Sequence, residues 1–130
     1  MKILIVEDEP MVRDLCEKVL RYQGFDIIVA TNGTEGLEAY RERHGEIGLV
    51  LSDISMPLMD GVSMVRQIFV MHSHANVILM SGYQLCELIP DDIRKLCSVL
   101  EKPFTPKRLI EAVKKCLKYD SEHYPLAVSS

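Results

Sequence analysis

Side chains capable of chemistry stand directly after four short apolar runs of the chain. They comprise four carboxylates, one hydroxyl and one ammonium group: Glu7, Asp8, Glu9, Asp53, Ser81 and Lys102. Carboxylates held close together repel one another unless a cation joins them. Mg²⁺ suits such a group because it accepts one or two carboxylates, keeps several waters and shares a substrate phosphate.

The same set has the parts needed to move a phosphoryl group. Such transfer depends mainly on positioning and on neutralising the phosphoryl oxygens, and an aspartate can be the covalent acceptor. Asp53 is the best acceptor candidate because it stands alone after a central apolar run, with Lys102 expected opposite it. Lys102 offers a flexible point charge, and Ser81 offers a small donor that can follow a moving oxygen.

The elements that must position these groups alternate regularly along the chain. Strands are predicted at Lys2–Val6 and at residues 25–30, 48–52, 76–80 and 97–100. Helices are predicted at Pro10–Tyr22, at residues 34–43, from a cap at Asp60 to Met71, and after a cap at Thr105. Residues 84–96 are the weakest stretch because Pro90 interrupts them. This alternation predicts an α/β doubly wound fold with a parallel sheet covered on both faces. The ligand site of such a fold lies beyond the carboxyl ends of its strands.

Length and composition limit the class of protein further. A length of 130 residues predicts one domain, at 1–119, followed by a short polar tail at 120–130. The formal net charge of −4 predicts that the chain does not bind nucleic acid directly, because binding to phosphates needs a basic surface. The chain lacks both a 20-residue apolar span and a signal peptide, so we expect a cytoplasmic protein without a membrane partner. The histidines are interpreted as surface residues. The cysteines are interpreted as buried, reduced small hydrophobes: Cys16, Cys86, Cys97 and Cys116.

Four segments together resemble the receiver domain of bacterial two-component response regulators. They are ILIVEDEP from Ile3, LVLSDISMPLMDG from Leu49, VILMSGY from Val77 and LEKPF from Leu100. The resemblance implies a flavodoxin-like five-stranded sheet in the order 2-1-3-4-5. It also implies that Asp53 is the phosphoacceptor and that Ser81 and Lys102 contact the phosphoryl group. The implied ligands of Mg²⁺ are Glu7, Asp8, Asp53 and the backbone carbonyl of Ser55, and the Lys102–Pro103 bond is expected to be cis.

The resemblance further implies how such a domain signals. The phosphoryl donor would be a phosphohistidine on a sensor histidine kinase or a histidine phosphotransfer protein, and the output a changed surface read by a downstream protein. The chain would catalyse its own phosphorylation and dephosphorylation, with no turnover of free substrates, as a monomer or weak dimer. The SGY motif at Ser81–Tyr83 and the KPF motif at Lys102–Phe104 are similar to those in receiver domains of hybrid histidine kinases. Met1 directly before the first strand favours a stand-alone receiver, although an excised domain would look alike.

Two departures from the receiver pattern concern the output surface. Val99 occupies the place of the usual switch aromatic, and we interpret it as a core strand residue that leaves no ring to swing. Because residues 84–96 are interrupted by proline, the fourth helix is expected to be short or absent, and the output surface to differ from the common fourth-helix face. Ser55 and Tyr83 flank the acceptor and are expected to tune hydrolysis of the acyl phosphate.

Three other functions are compatible with parts of the pattern. A flavin-binding protein of the same topology needs a loop that cradles phosphate after the first strand, where this chain has Glu7, Asp8 and Glu9. A haloacid-dehalogenase-type phosphatase needs a second acid two residues after its nucleophile, where this chain has Ser55. A pseudo-receiver, which binds partners without phosphorylation, remains the main alternative.

Overall fold

Five strands and five helices alternate within the part of the chain that the structure describes. The structure is a computed structural model that describes residues 1–56, 58–82 and 85–117. The strands are β1 (Lys2–Val6), β2 (Asp26–Ala30), β3 (Ile47–Asp53), β4 (Val77–Gly82) and β5 (Ser98–Lys102). The helices are α1 (Pro10–Tyr22), α2 (Gly33–Arg43), α3 (Gly61–Met71), α4 (Asp91–Leu96) and α5 (Pro106–Cys116).

The strands form one parallel sheet in the order β2-β1-β3-β4-β5. The doubly wound α/β fold predicted from the alternation is therefore confirmed. In the register of the sheet Val6 lies beside Ser52, and Gly82 lies beside Lys102. This register brings the carboxyl ends of β1, β3, β4 and β5 to one edge, which is where the sequence places its reactive side chains.

Local capping explains where three helices begin. The side chains of Asn32, Asp60 and Thr105 accept hydrogen bonds from backbone N–H groups in the first turns of α2, α3 and α5. The predicted caps at Asp60 and Thr105 are confirmed. Helix α2 begins at Gly33, one residue earlier than predicted, because the oxygen of Asn32 satisfies the N–H of Glu35 at 2.8 Å.

Alternate strand residues fill a core on each face of the sheet. Leu4, Val6 and Val50 face one side, whereas Ile3, Ile5 and Leu51 face the other. Helices α2 and α3 cover the first face, and α1 and α5 cover the second. Among the described residues, no helix is both long and apolar enough to cross a membrane.

Several expectations about individual side chains were wrong. All four cysteines are free as expected, but only Cys16 is buried, because the other three lie at or near element ends with part of their surface exposed. The helical spacing of apolar residues in α1 predicts that Leu15 lies on its inner face, but this side chain is 43% exposed. Val99, interpreted as a core residue, is 38% exposed on the edge strand β5, which has a neighbouring strand on one side only.

Two further expectations, a short fourth helix and exposed histidines, agree with the described residues. Helix α4 has only six residues, in line with the proline interruption, and a 3₁₀ turn at Cys86–Leu88 precedes it. His44, His72 and His74 are exposed. Tyr83 and the tail at 120–130 lie outside the described residues.

Candidate functional site

The carboxyl edge of the central strands brings together the predicted acidic residues. Glu7 and Asp8 directly follow β1, and Asp53 is the last residue of the neighbouring strand β3. Glu7 is fully buried and Asp53 is nearly so, whereas Asp8 is exposed. The site is thus a cluster of carboxylates with one side open to solvent.

A close backbone approach fixes the position of Asp53. The N–H of Gly61 donates to the carbonyl of Ile54 at 3.0 Å, which places the start of α3 against the end of β3. A Cβ atom at Gly61 would lie 2.2 Å from the carbonyl oxygen of Asp53, closer than atoms can pack. Glycine is required there, and its spacing of eight residues from Asp53 lets α3 pack directly beside the acid.

Lys102 bridges two of the carboxylates. Its Nζ lies 2.9 Å from Oε1 of Glu7 and 3.3 Å from Oδ2 of Asp53. The expectation that Lys102 faces Asp53 agrees with this geometry, but its shorter contact is with Glu7. The Lys102–Pro103 peptide bond is cis, as expected.

Burial dominates the electrostatics of the acidic cluster. Loss of hydration raises the pKa of Glu7 from 4.5 to about 7; the hydrogen bond from Lys102 opposes this rise, and the charge of Asp53 adds to it. Burial alone would lower the pKa of Lys102, but the hydrogen bond to Glu7 and the charges of both carboxylates outweigh it, so that pKa is raised. The ammonium of Lys102 therefore stays charged. The positive charge near Glu7 is too small to offset the loss of hydration of its carboxylate.

The donor set fits a hard divalent cation. Carboxylate oxygens of Glu7, Asp8 and Asp53 all lie within 4.8 Å of one another. Oxygen ligands, one of them reachable from solvent, match what Mg²⁺ prefers, and a cation there would offset the uncompensated charge of Glu7. The backbone N–H of Ser55 donates to Oδ1 of Asp53 at 3.4 Å; that its carbonyl is a fourth ligand stays a prediction.

Ser81 lies at the same edge but does not contact the acids in the described contacts. It is fully buried near the end of β4, and its hydroxyl donates to the carbonyl of Gly82 at 3.1 Å. A hydroxyl can change partner by rotating about a single bond, so Ser81 is available to a group that enters the site.

Sequence reasoning missed Arg13 as a member of the site. Its guanidinium donates to the backbone carbonyls of Glu7 at 3.0 Å and Asp8 at 3.4 Å. This interaction ties the first turn of α1 to the two acids, so Arg13 is a positioning residue. The only sequence signal is a basic residue one helical turn after the acidic pair.

Comparison with known proteins identifies the family to which this fold and site belong. The fold and site define a doubly wound α/β protein with an acidic cluster, whose oxygen donors fit a divalent cation, at the carboxyl edge of its sheet. The model of the response regulator receiver domain family matches residues 3–114. The chain belongs to this family of two-component signalling domains, which bind Mg²⁺ at an acidic site and interact with kinases or phosphotransfer proteins and with downstream targets.

Individual relatives show the same kinship over most of the chain. The sensor kinase CckA of Brucella abortus is 35% identical over 119 residues, covering 89% of this chain but only 12% of CckA. The chemotaxis protein CheY of Bacillus subtilis is 32% identical, covering 89% of this chain and 97% of CheY. A chain of the CheX–CheY–BeF₃–Mg²⁺ complex from Borrelia burgdorferi superposes with a TM-score of 0.81 at 27% identity, covering 88% of this chain and 87% of that one.

Proposed function

We propose that Asp53 accepts a phosphoryl group from a phosphohistidine of a sensor kinase or phosphotransfer protein, in a receiver unit spanning residues 1–119. The observation that carries this proposal is the contact of one ammonium, Lys102, with both Asp53 and the buried Glu7. The acceptor carboxylate thus lies beside a positive charge that an incoming phosphoryl oxygen can share.

The transfer consists of one displacement at phosphorus. A carboxylate oxygen of Asp53 attacks, the P–N bond to the donor imidazole breaks, and the imidazole nitrogen leaves with the electron pair and takes up a proton. The product is an acyl phosphate on Asp53. Lys102 pairs with one phosphoryl oxygen, and Ser81 exchanges its bond to the Gly82 carbonyl for a bond to another.

A divalent cation completes the charge balance of the site. Glu7, Asp8 and Asp53, with the carbonyl of Ser55, would hold Mg²⁺. When bound, the ion supplies positive charge to the phosphoryl oxygens. Support comes from the spacing of the carboxylates and from the similarity to a chain of the CheX–CheY–BeF₃–Mg²⁺ complex.

Intact-mass spectrometry tests the acceptor directly. Incubation with Mg²⁺ and acetyl phosphate, and then with a phosphohistidine donor protein, should add one phosphoryl group. The gain should vanish with EDTA and in Asp53→Asn, but persist in Asp14→Asn, which changes an exposed acid of α1. If no phosphoryl group is added with either donor, the chain is a pseudo-receiver that binds partners without phosphorylation.

Phosphorylation would change the surface beside the fifth strand. Lys102 ends β5, and β5 packs against α4, so a shift of Lys102 toward a phosphoryl group is transmitted to this edge. Val99, the second residue of the strand and without a ring, would be displaced with it. Hydrogen exchange at residues 85–101 should change on phosphorylation of the wild type; exchange that stays the same would place the output surface elsewhere.

A further inference from the structure

The phenol ring of Tyr40 and the imidazole rings of His44 and His72 form a cluster far from the acidic site. The hydroxyl of Tyr40 lies 3.2 Å from Nδ1 of His72, and the ring centroids of His44 and His72 are 4.7 Å apart. Tyr40 also contacts His44, with centroids at 6.4 Å. Tyr40 is buried, while both histidines are exposed, so the imidazoles are open to solvent above a fixed phenol.

The distance between the two imidazole rings is similar to that between two histidines that bind one metal ion. A zinc–nitrogen bond of about 2.0–2.1 Å and a tetrahedral angle put the centroids of two ligating imidazoles about 5 Å apart. The observed separation of 4.7 Å between the centroids of His44 and His72 is close to this value.

The hydrogen bond to Tyr40 prepares His72 as a ligand. If Nδ1 of His72 donates to the phenol oxygen, Nε2 carries the free lone pair. Metal-ligating histidines usually donate their other ring N–H in this way, which fixes the tautomer and the ring orientation.

Backbone electrostatics also favour a cation at this position. His44 is the C-cap of α2 and His72 is the C-cap of α3, so the negative ends of two helix dipoles converge there. The neighbouring charge of Arg43 is paired with Glu46 at 3.1 Å. Helix C-termini lie at the amino edge of a parallel sheet, so this location is opposite the acidic site.

We propose that His44 and His72 form a second metal site that binds a borderline divalent ion of the Zn²⁺ class through two imidazoles, with water completing the coordination. The site joins the C-terminal ends of α2 and α3. Because imidazole nitrogen prefers such ions and carboxylate oxygen prefers Mg²⁺, the two sites of the chain are chemically distinct.

Zn²⁺ titration of the full chain tests the site. Saturating Mg²⁺ occupies the acidic cluster, and binding is followed by calorimetry in the wild type, His44→Gln, His72→Gln and His74→Gln. Each of the first two substitutions should weaken the imidazole-dependent binding about tenfold or more. His74→Gln is the matched control, since this exposed residue has no described ring contact with the pair, and it should leave binding unchanged.

A second measurement needs no variant. In ¹⁵N spectra of the wild-type imidazoles, Zn²⁺ should shift Nε2 of His72 while Nδ1 stays protonated. Equal Zn²⁺ binding in the wild type, His44→Gln and His72→Gln would overturn the proposal and assign the ion to the thiols or carboxylates. Absence of Zn²⁺ binding, or no change in the His72 nitrogens, would overturn it as well.

Discussion

Glu7 is expected to destabilise the metal-free protein, and Glu7→Gln tests this. The side chain is fully buried, and its pKa is raised from 4.5 to about 7. At about 1.4 kcal/mol per pH unit, this rise corresponds to about 3 kcal/mol of lost stability once Glu7 is ionised. Glutamine resembles the neutral acid and cannot ionise, so the variant should avoid that loss.

The sign of the effect follows from where each state releases its proton. The unfolded chain releases the Glu7 proton near pH 4.5 and the folded chain near pH 7. Between these values the folded state binds more protons, so wild-type stability falls as pH rises. The advantage of Glu7→Gln over wild type should therefore be small near pH 4.5 and reach about 3 kcal/mol above pH 7.5.

Urea unfolding followed by circular dichroism in EDTA measures this difference at several pH values. Glu9→Gln is the matched control, because Glu9 is the adjacent exposed acid and its substitution should leave the pH dependence unchanged. Adding Mg²⁺ at pH 8 should stabilise wild type more than Glu7→Gln, since the variant loses a charged ligand. The reasoning fails if Glu7→Gln is no more stable than wild type at pH 8, or if both proteins show the same pH dependence.

Three further changes have outcomes set by the structure. Lys102→Met leaves two buried carboxylates without their shared cation and should lower the free energy of unfolding by roughly 2–4 kcal/mol in urea titrations, with partial recovery on adding Mg²⁺. Gly61→Ala should lower the free energy of unfolding by about 1–3 kcal/mol and weaken Mg²⁺ binding, because the added carbon displaces Asp53. Gly45→Ala is its control and should behave like wild type, because nothing lies within 4 Å of the added carbon. Cys16 is buried, and loss of hydration raises its pKa to about 12, so iodoacetamide at pH 8 should label it more slowly than the partly exposed Cys86, as followed by mass spectrometry; labelling at an equal rate would contradict that burial.

The fold was predictable because its signals are local and repeated. Apolar runs of strand length alternate with helical spacing, and caps such as Asp60 and Thr105 mark helix starts within four residues of sequence. Several strand bounds differed from the prediction by one or two residues, because hydrogen-bonded pairing rather than apolar composition decides where a strand begins and ends. Leu15 and Val99 were placed wrongly, because the exposure of a side chain at the rim of a core depends on which neighbours cover it.

The identities of the reactive groups could be predicted for the same reason. Parallel strands must end at one edge, so residues after successive strands converge even when they are far apart in sequence. The sequence alone therefore indicated Glu7, Asp8, Asp53 and Lys102 as neighbours, and the structure brings these four together. The Mg²⁺-ligand roles of Glu7, Asp8 and Asp53 stay proposals, which rest on the resemblance to receiver domains and on the preference of Mg²⁺ for carboxylate oxygens.

Tertiary packing alone decided the energetics and the unexpected contacts. The full burial of Glu7, its shorter contact with Lys102 and the bonds from Arg13 depend on how α1 packs against β1 and on where the carboxyl end of β5 lies in the sheet. The pairing of His44 with His72 depends on the packing of two helix ends that are 28 residues apart in sequence. A chain pattern records which residue types are present and how they are spaced, whereas hydration and charge depend on distances between segments, which only the folded chain sets.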